Sequence, residues 1–474
     1  MLFPTTDFAV FFGLVFLISW LLNPFPVRWR VFMVAASYVF YAWWDWHFVF
    51  LLAGSTLLNY FGALGAHQAR SLSARRASMV AAVAGGLGLL AWFKYYGFFA
   101  VNVANGLHHL GLGSPLPLLQ VTLPVGISFF TFMGISYVVD VYRGELAPAP
   151  FLDFAVYLSF FPHLVAGPIV RGSELLPQLR EPKDPRRVDA SRAAYLIFTG
   201  LFKKVVISSY VASAIVDPVF ANPHSHTSLE ILVAVYAYAV QIYADFSGYT
   251  DIAIGLALLL GYRFPNNFDA PYAAVSLQDF WRRWHITLSR WLRDYLYIPL
   301  GGSHGTRRET CRNIVITMIL GGLWHGAAWT FVAWGALHGF GQVGGYLRRE
   351  RRKDLGLAPP PDTAARRIGA RVVTFHLVCL GWLFFRADSL HTAFVMLGRL
   401  LSAFGPAPLV RPGLVAVIGL AIASQYLPSD AAARVQTAFS RLKPAVQGVV
   451  LAGVLFLITA LGPQGVAPFI YYRF

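Results

Sequence analysis

Acidic residues are scarce in this chain, charge of either sign is thin, and cysteine is nearly missing. Of 474 residues only 22 are Asp or Glu, charged residues together make 13%, and the two cysteines are Cys311 and Cys379. One cysteine adjoins a basic cluster and the other sits in an apolar run, so a disulfide framework or a thiolate metal site is not supported. So little charge excludes an ordinary soluble domain, in which about a quarter of residues are charged. No repeat of fixed period and no low-complexity tract occurs, which sets aside solenoid and disordered architectures.

What fills the chain instead is apolar: 57% hydrophobic and 16% aromatic residues, with a mean hydropathy of +0.57. Runs able to cross a hydrocarbon layer of about 30 Å recur from "FAVFFGLVFLISWLL" (8–22) to "GVVLAGVLFLITALG" (448–462). The expected fold is all-α, a polytopic integral membrane protein whose residues 1–474 form a single membrane domain. It should hold about 10–11 transmembrane helices, plus re-entrant or partial helices and interfacial amphipathic ones. The first run lacks a basic n-region and a small-residue cleavage site, and reads as a retained span rather than a signal peptide.

The formal net charge of +16 gathers in short connections: 67–78, 179–192, 305–312, 348–353 and 365–367. By the positive-inside rule these face the cytoplasm, while the charge-poor "DPVFANPHSHTS" (217–228) and the N-terminus face outward. A basic pI near 9.9 then reflects topology and anionic lipid surfaces, with no nucleic-acid partner. Basic clusters flank both ends of 314–343, so one straight crossing contradicts the charge parity. Two partial helices or a broken, tilted element is expected there, with "GGLWHG" at its deep point.

"FWRRWHITLSRWLRDYLYIPLGG" (280–302) is too charged for a comfortable span. On a helical wheel Trp281, Trp284, Leu288, Trp291, Leu292 and Tyr295 share an arc of about 100°. Arg282, Arg283, Arg290 and Arg293 take the far side. An interfacial amphipathic helix is predicted, with His285 at the border of the two faces and Ser289 one turn on. The arginines suit lipid headgroups or the phosphates of a cytoplasmic cofactor, and composition does not separate the two. His325 lies in the apolar run "LGGLWHGAAWTF" between residues that permit close approach. An ionisable group at membrane depth points to function, though a neutral imidazole bonded to a neighbouring helix fits equally well. His338, 13 positions on, points away from His325 on an ideal helix and reads as structural. No His-x-x-x-His spacing links these residues, and no metal site is expected.

Five blocks in order resemble one family. They are "FFPHLVAGPIVR" (160–171), "DFSGYTDIAIG" (245–255), "FWRRWHITLSRWLRDYLYIPLGG", "GGLWHGAAWTFVAWGALHG" (321–339) and "GWLFFRA" (381–387). Together they are similar to the bacterial branch of the membrane-bound O-acyltransferase (MBOAT) family, above all its alginate-acetylating members. The resemblance implies acyl transfer in a bacterial inner membrane, with His325 as the family's central catalytic histidine and His285 as its second. Arg282, Arg283, Arg290 and Arg293 then become candidates for the phosphates of acetyl-CoA, an acyl-donor substrate rather than a resident cofactor. Asp245, Tyr249, Asp251, Ser289 and Trp324 are named as supporting residues, although buried carboxylates paired to an arginine or a backbone donor explain the 245–255 block as well. Arg386 reads as a packing or snorkelling residue.

The acceptor implied is an exopolysaccharide or a periplasmic SGNH-type, hydrolase-like acetyltransferase, and the acetyl group crosses the membrane through a route that narrows at His325. No nucleophilic Cys or Ser motif calls for an acyl-enzyme. Three other readings stay open: a glycan or lipid transporter without chemistry, transfer of a longer acyl or D-alanyl group, and a scaffold for a secretion complex.

Overall fold

The computed structural model describes every residue except 113–116, 118, 120, 359, 429, 463–469 and 471–474. Among the described residues the chain is helical and no strand occurs. Among the described residues six helices are long and apolar enough to cross a membrane: Phe48–Gln68, Leu72–His109, Ala190–Ala221, Ser228–Leu259, Ala364–Arg386 and Pro444–Leu461. A bent pair, Pro412–Tyr426 with Ala431–Ser440, makes a seventh if it counts as one span. Other apolar runs form shorter helices, such as Thr6–Leu22 and Leu390–Ser402. Hydropathy marks how greasy a run is, whereas turns and bends set how long its helix becomes. This multi-pass architecture divides into two compact units, residues 1–193 with 253–265, and residues 194–252 with 266–474.

In the first unit, small residues let helices touch. A methyl on Gly62 would meet the Ala82 side chain, and one on Gly134 would meet Asn59, the close approach that holds helices together where no hydrophobic gradient does. Charge inside this unit is matched: Arg30 Nε lies 2.5 Å from the buried Asp153 carboxylate, with Arg180 at 3.9 Å. The block 160–171 buries His163, whose Nε2 donates to the Tyr157 carbonyl at 2.9 Å while its ring stacks on Phe264.

In the second unit the Ser228–Leu259 helix is mostly buried. Gly200 and Gly248 bring its backbone against the 190–221 segment, since a methyl on either would strike the other's carbonyl oxygen. That segment is locally π-helical over Phe202–Ser208, which turns two consecutive lysines toward the long helix. Lys203 bonds Asp251 at 2.7 Å, and Lys204 pairs with Asp245. Asp245 also accepts the Ile470 backbone N–H at 2.8 Å. Lysines thus stand where an arginine was one of the two expected partners, and the Ile470 N–H supplies the other, a backbone donor.

The segment with conflicting charge parity is a helical hairpin, Arg307–His325 followed by Trp329–Asp354. Gly322 meets the Phe331 carbonyl, Gly335 the Met318 carbonyl and Gly339 the Val315 backbone, so the helices run antiparallel at near backbone contact. Arg307 closes the open end on Asp354 with two hydrogen bonds of 2.6 and 2.5 Å. Both basic flanks therefore leave on one side, with "WHGAA" at the turn.

Candidate active site

The 280–302 stretch is built differently from the continuous amphipathic helix that its periodicity predicts. It forms two short helices, Leu277–Arg283 and Ile286–Leu292, and a π-turn over Arg293–Tyr297. The break falls at Trp284 and His285, and His285 has a left-handed backbone with φ of +42°. A residue with a Cβ adopts that conformation at a cost of about 1–2 kcal/mol, so surrounding contacts must hold it. An extended segment eighteen residues upstream supplies them. The Ile286 N–H donates to the Asn267 carbonyl at 2.9 Å and the Asp269 N–H to the Arg283 carbonyl at 2.9 Å. Thr287 donates its N–H to Asn267 Oδ1 at 3.1 Å. Tyr272 anchors this segment to the long helix by donating to the Ala239 carbonyl at 2.5 Å. Backbone groups freed by the break are thereby satisfied.

This break moves His285 from the expected border of a helix to a fully buried position. Its Nδ1 lies 3.1 Å from Asn267 Oδ1. Phe246 packs edge-on at 4.7 Å and Trp324 at 5.9 Å between ring centres. Nε2 is buried and meets no hydrogen-bonding partner among the described residues. Burial lowers the pKa of this imidazole below its ordinary value, because desolvation disfavours the charged ring.

His325 ends the first hairpin helix, 2% exposed. Its ring packs on Trp324, Trp334 and Phe385 at 5.0, 5.1 and 5.2 Å. Trp324 is thus the wall between the two histidines and touches both rings. His338, expected to be remote, joins the same aromatic cluster through Trp334 at 4.8 Å. It accepts a hydrogen bond from Trp281 Nε1 at 3.3 Å, which suits the structural role read for it.

A cavity of about 600 Å³ adjoins this cluster, lined by Ser289, Arg282, Arg290 and Arg293 from the broken stretch and by Arg349, Glu350 and Lys353 from the hairpin, with Glu350 holding Lys353 at 2.6 Å. Arg283 is not in its lining; that guanidinium turns to Asp279 at 3.0 Å and Asp269 at 3.9 Å. Arg293 also holds Asp294 at 2.6 Å. Neither His285 nor His325 is among the lining residues, whereas Trp281, beside His338, is. Asp245, Tyr249 and Asp251 likewise stand outside the lining, and the two carboxylates bond lysines instead. Arg386 pairs with Asp217 at 2.8 Å.

Sequence reading missed Asn267, Arg349 and Lys353. Asn267 carries one signal, a polar pair "NN" wedged between Pro265 and the apolar "FDAPY" segment, but its partner is far along the chain. Arg349 and Lys353 belong to a basic cluster that topology alone seemed to explain.

Chemically, the cluster offers two dry imidazoles either side of an indole and, next to them, a cation-lined cavity suited to a polyanion. Residues 77–354 match the model of the MBOAT, membrane-bound O-acyltransferase family. The probable alginate O-acetylase of Pseudomonas aeruginosa is 40% identical over 433 residues, 90% of this chain and 80% of that protein. The peptidoglycan O-acetyltransferase of Helicobacter pylori is 37% identical, over 83% of this chain and 77% of its own. More distant is the teichoic acid D-alanyltransferase of Streptococcus thermophilus, 29% identical over 55% of this chain and 68% of that protein.

Proposed function

The chain belongs to the membrane-bound O-acyltransferase family and is a membrane acyltransferase, and from that premise we propose that it moves acetyl groups from cytoplasmic acetyl-CoA to a hydroxyl acceptor outside a bacterial inner membrane. The acetyl group follows from the alginate and peptidoglycan O-acetylating relatives. The observation that carries the donor is the cavity beside the histidine cluster, whose lining holds Arg282, Arg290, Arg293, Arg349 and Lys353. Coenzyme A brings a diphosphate and a separate phosphate, and guanidinium forks bind such oxygens bidentately.

In the proposed reaction His325 takes the acceptor's hydroxyl proton as the oxygen attacks the acetyl carbonyl. The carbon–sulfur bond breaks, and the thiolate of coenzyme A leaves and recovers a proton. Neutral imidazole suits the role of base near pH 7, and His325 packs among the rings of Trp324, Trp334 and Phe385. His285, across Trp324, holds the donor arm. The acceptor is a cell-surface polysaccharide or a periplasmic SGNH-type protein that passes the acetyl group on.

Purified membranes given labelled acetyl-CoA should release coenzyme A and label a glycan or partner. A second reading, transfer of D-alanine from a carrier protein, is suggested by the teichoic acid relatives. It predicts label from a D-alanyl carrier and none from acetyl-CoA. Glycan movement with no donor consumed supports a transporter instead.

A further inference from the structure

Asn267 grips the left-handed turn at His285 through both its backbone and its side chain. Its carbonyl accepts the Ile286 N–H at 2.9 Å. Its side-chain Oδ1 accepts the Thr287 N–H at 3.1 Å and the Thr287 hydroxyl at 2.9 Å. A backbone N–H can only donate, so the amide atom that Thr287 meets is the oxygen and not the nitrogen of Asn267. That settles the orientation of an amide whose two ends are otherwise easily exchanged. The same oxygen lies 3.1 Å from His285 Nδ1. Two lone pairs facing each other at that distance repel, so Nδ1 carries the proton, and in the neutral ring Nε2 keeps its lone pair. This Nε2 is buried and meets no partner among the described residues.

We infer that Asn267 is a positioning residue for the transfer reaction: it holds His285 as the Nδ1–H tautomer, so that what Nε2 offers a substrate is an acceptor. This rests on the reading of His285 as part of an acyltransferase site. A ring fixed in this way cannot donate to an oxyanion from Nε2. It accepts instead, for which the amide N–H groups of a pantetheine arm are chemically matched. The ring's partners among the described residues are uncharged: Phe246 from the long helix, Trp324 from the hairpin, and the Asn267 amide. The tautomer is therefore set by one amide oxygen, with no ion involved.

Two substitutions and one spectrum test this in the full-length protein in detergent. Nitrogen-15 NMR of histidine-labelled protein, with His285 assigned by a His285→Gln difference, should show protonated Nδ1 and unprotonated Nε2. Asn267→Ala removes the oxygen and should admit the Nε2–H tautomer, raising the KM for acetyl-CoA about tenfold, the loss of one hydrogen bond to the donor, with a smaller change in kcat. Asn267→Asp keeps every bond that Oδ1 accepts and guards against a variant that merely misfolds. Its carboxylate favours a second proton on His285, so the acid limb of the pH–rate profile should move upward by one unit or more, with transfer recovering as pH rises. A wild-type ring protonated on Nε2, or an Asn267→Asp profile that superimposes on wild type, overturns the inference. The spectrum needs no turnover: the expected tautomer in a protein that never consumes acetyl-CoA defeats the proposed function and leaves the role of Asn267 in setting the tautomer standing.

Discussion

At the scale of single residues, some charged or titratable side chains share the site and others have other work. His325→Ala removes a ring whose packing partners are Trp324, Trp334 and Phe385. Acetyl transfer should drop by about 100- to 10,000-fold, the contribution of a positioned base, in protein that still inserts and purifies normally. The arginines divide more finely. Arg282 and Arg290 line the cavity, so their double change to Gln should raise the KM for acetyl-CoA at least tenfold, about 1.4 kcal/mol. Arg283 is taken by Asp279 and Asp269, and Arg283→Gln should leave that KM within about twofold. Initial-rate kinetics on the three proteins separates these outcomes. Equal effects of the double and the single variant would return the arginines to lipid headgroups. The helical wheel grouped four arginines on one face because it assumed one helix; the turn at His285 sends Arg283 elsewhere.

At the scale of elements, the hairpin was legible in the sequence and the broken stretch was not, for a physical reason. Charge parity is a local property: basic clusters at 305–312 and 348–353 require both ends on one side whatever lies between. The break at His285 depends on Asn267, eighteen residues earlier, and no periodicity within 280–302 contains that information. Likewise, the carboxylates Asp245 and Asp251 were visible as residues needing partners, while their lysines depend on a π-helical turn at 202–208 that composition does not announce. The hairpin also makes a stability prediction. A side chain on Gly335 would run into the Met318 carbonyl, its Cβ only 2.5 Å away. Gly335→Val should therefore destabilise by about 1–3 kcal/mol or more and lower the thermal midpoint in detergent. Gly344, in the same helix, has open space around it. Gly344→Ala should hold or raise that midpoint, since alanine favours helix by up to about 1 kcal/mol. A Gly335 variant as stable as the Gly344 variant would contradict the close antiparallel packing.

At the scale of the whole molecule, composition alone made the chain a helical membrane protein, and charge distribution gave it sides. By the positive-inside rule the basic connections, including the arginines of 280–302, are expected in the cytoplasm and 217–228 outside. The proposed chemistry joins these sides: donor phosphates on the basic face, a dry imidazole at the hairpin turn, an acceptor hydroxyl from beyond. The most direct test is a sidedness measurement in proteoliposomes whose orientation has been fixed by protease access to the 348–353 cluster. Labelled acetyl-CoA should be consumed only when added to the face that bears this cluster, and acetylated acceptor should appear only on the opposite face. Product formed on the donor's own side would contradict transfer across the bilayer.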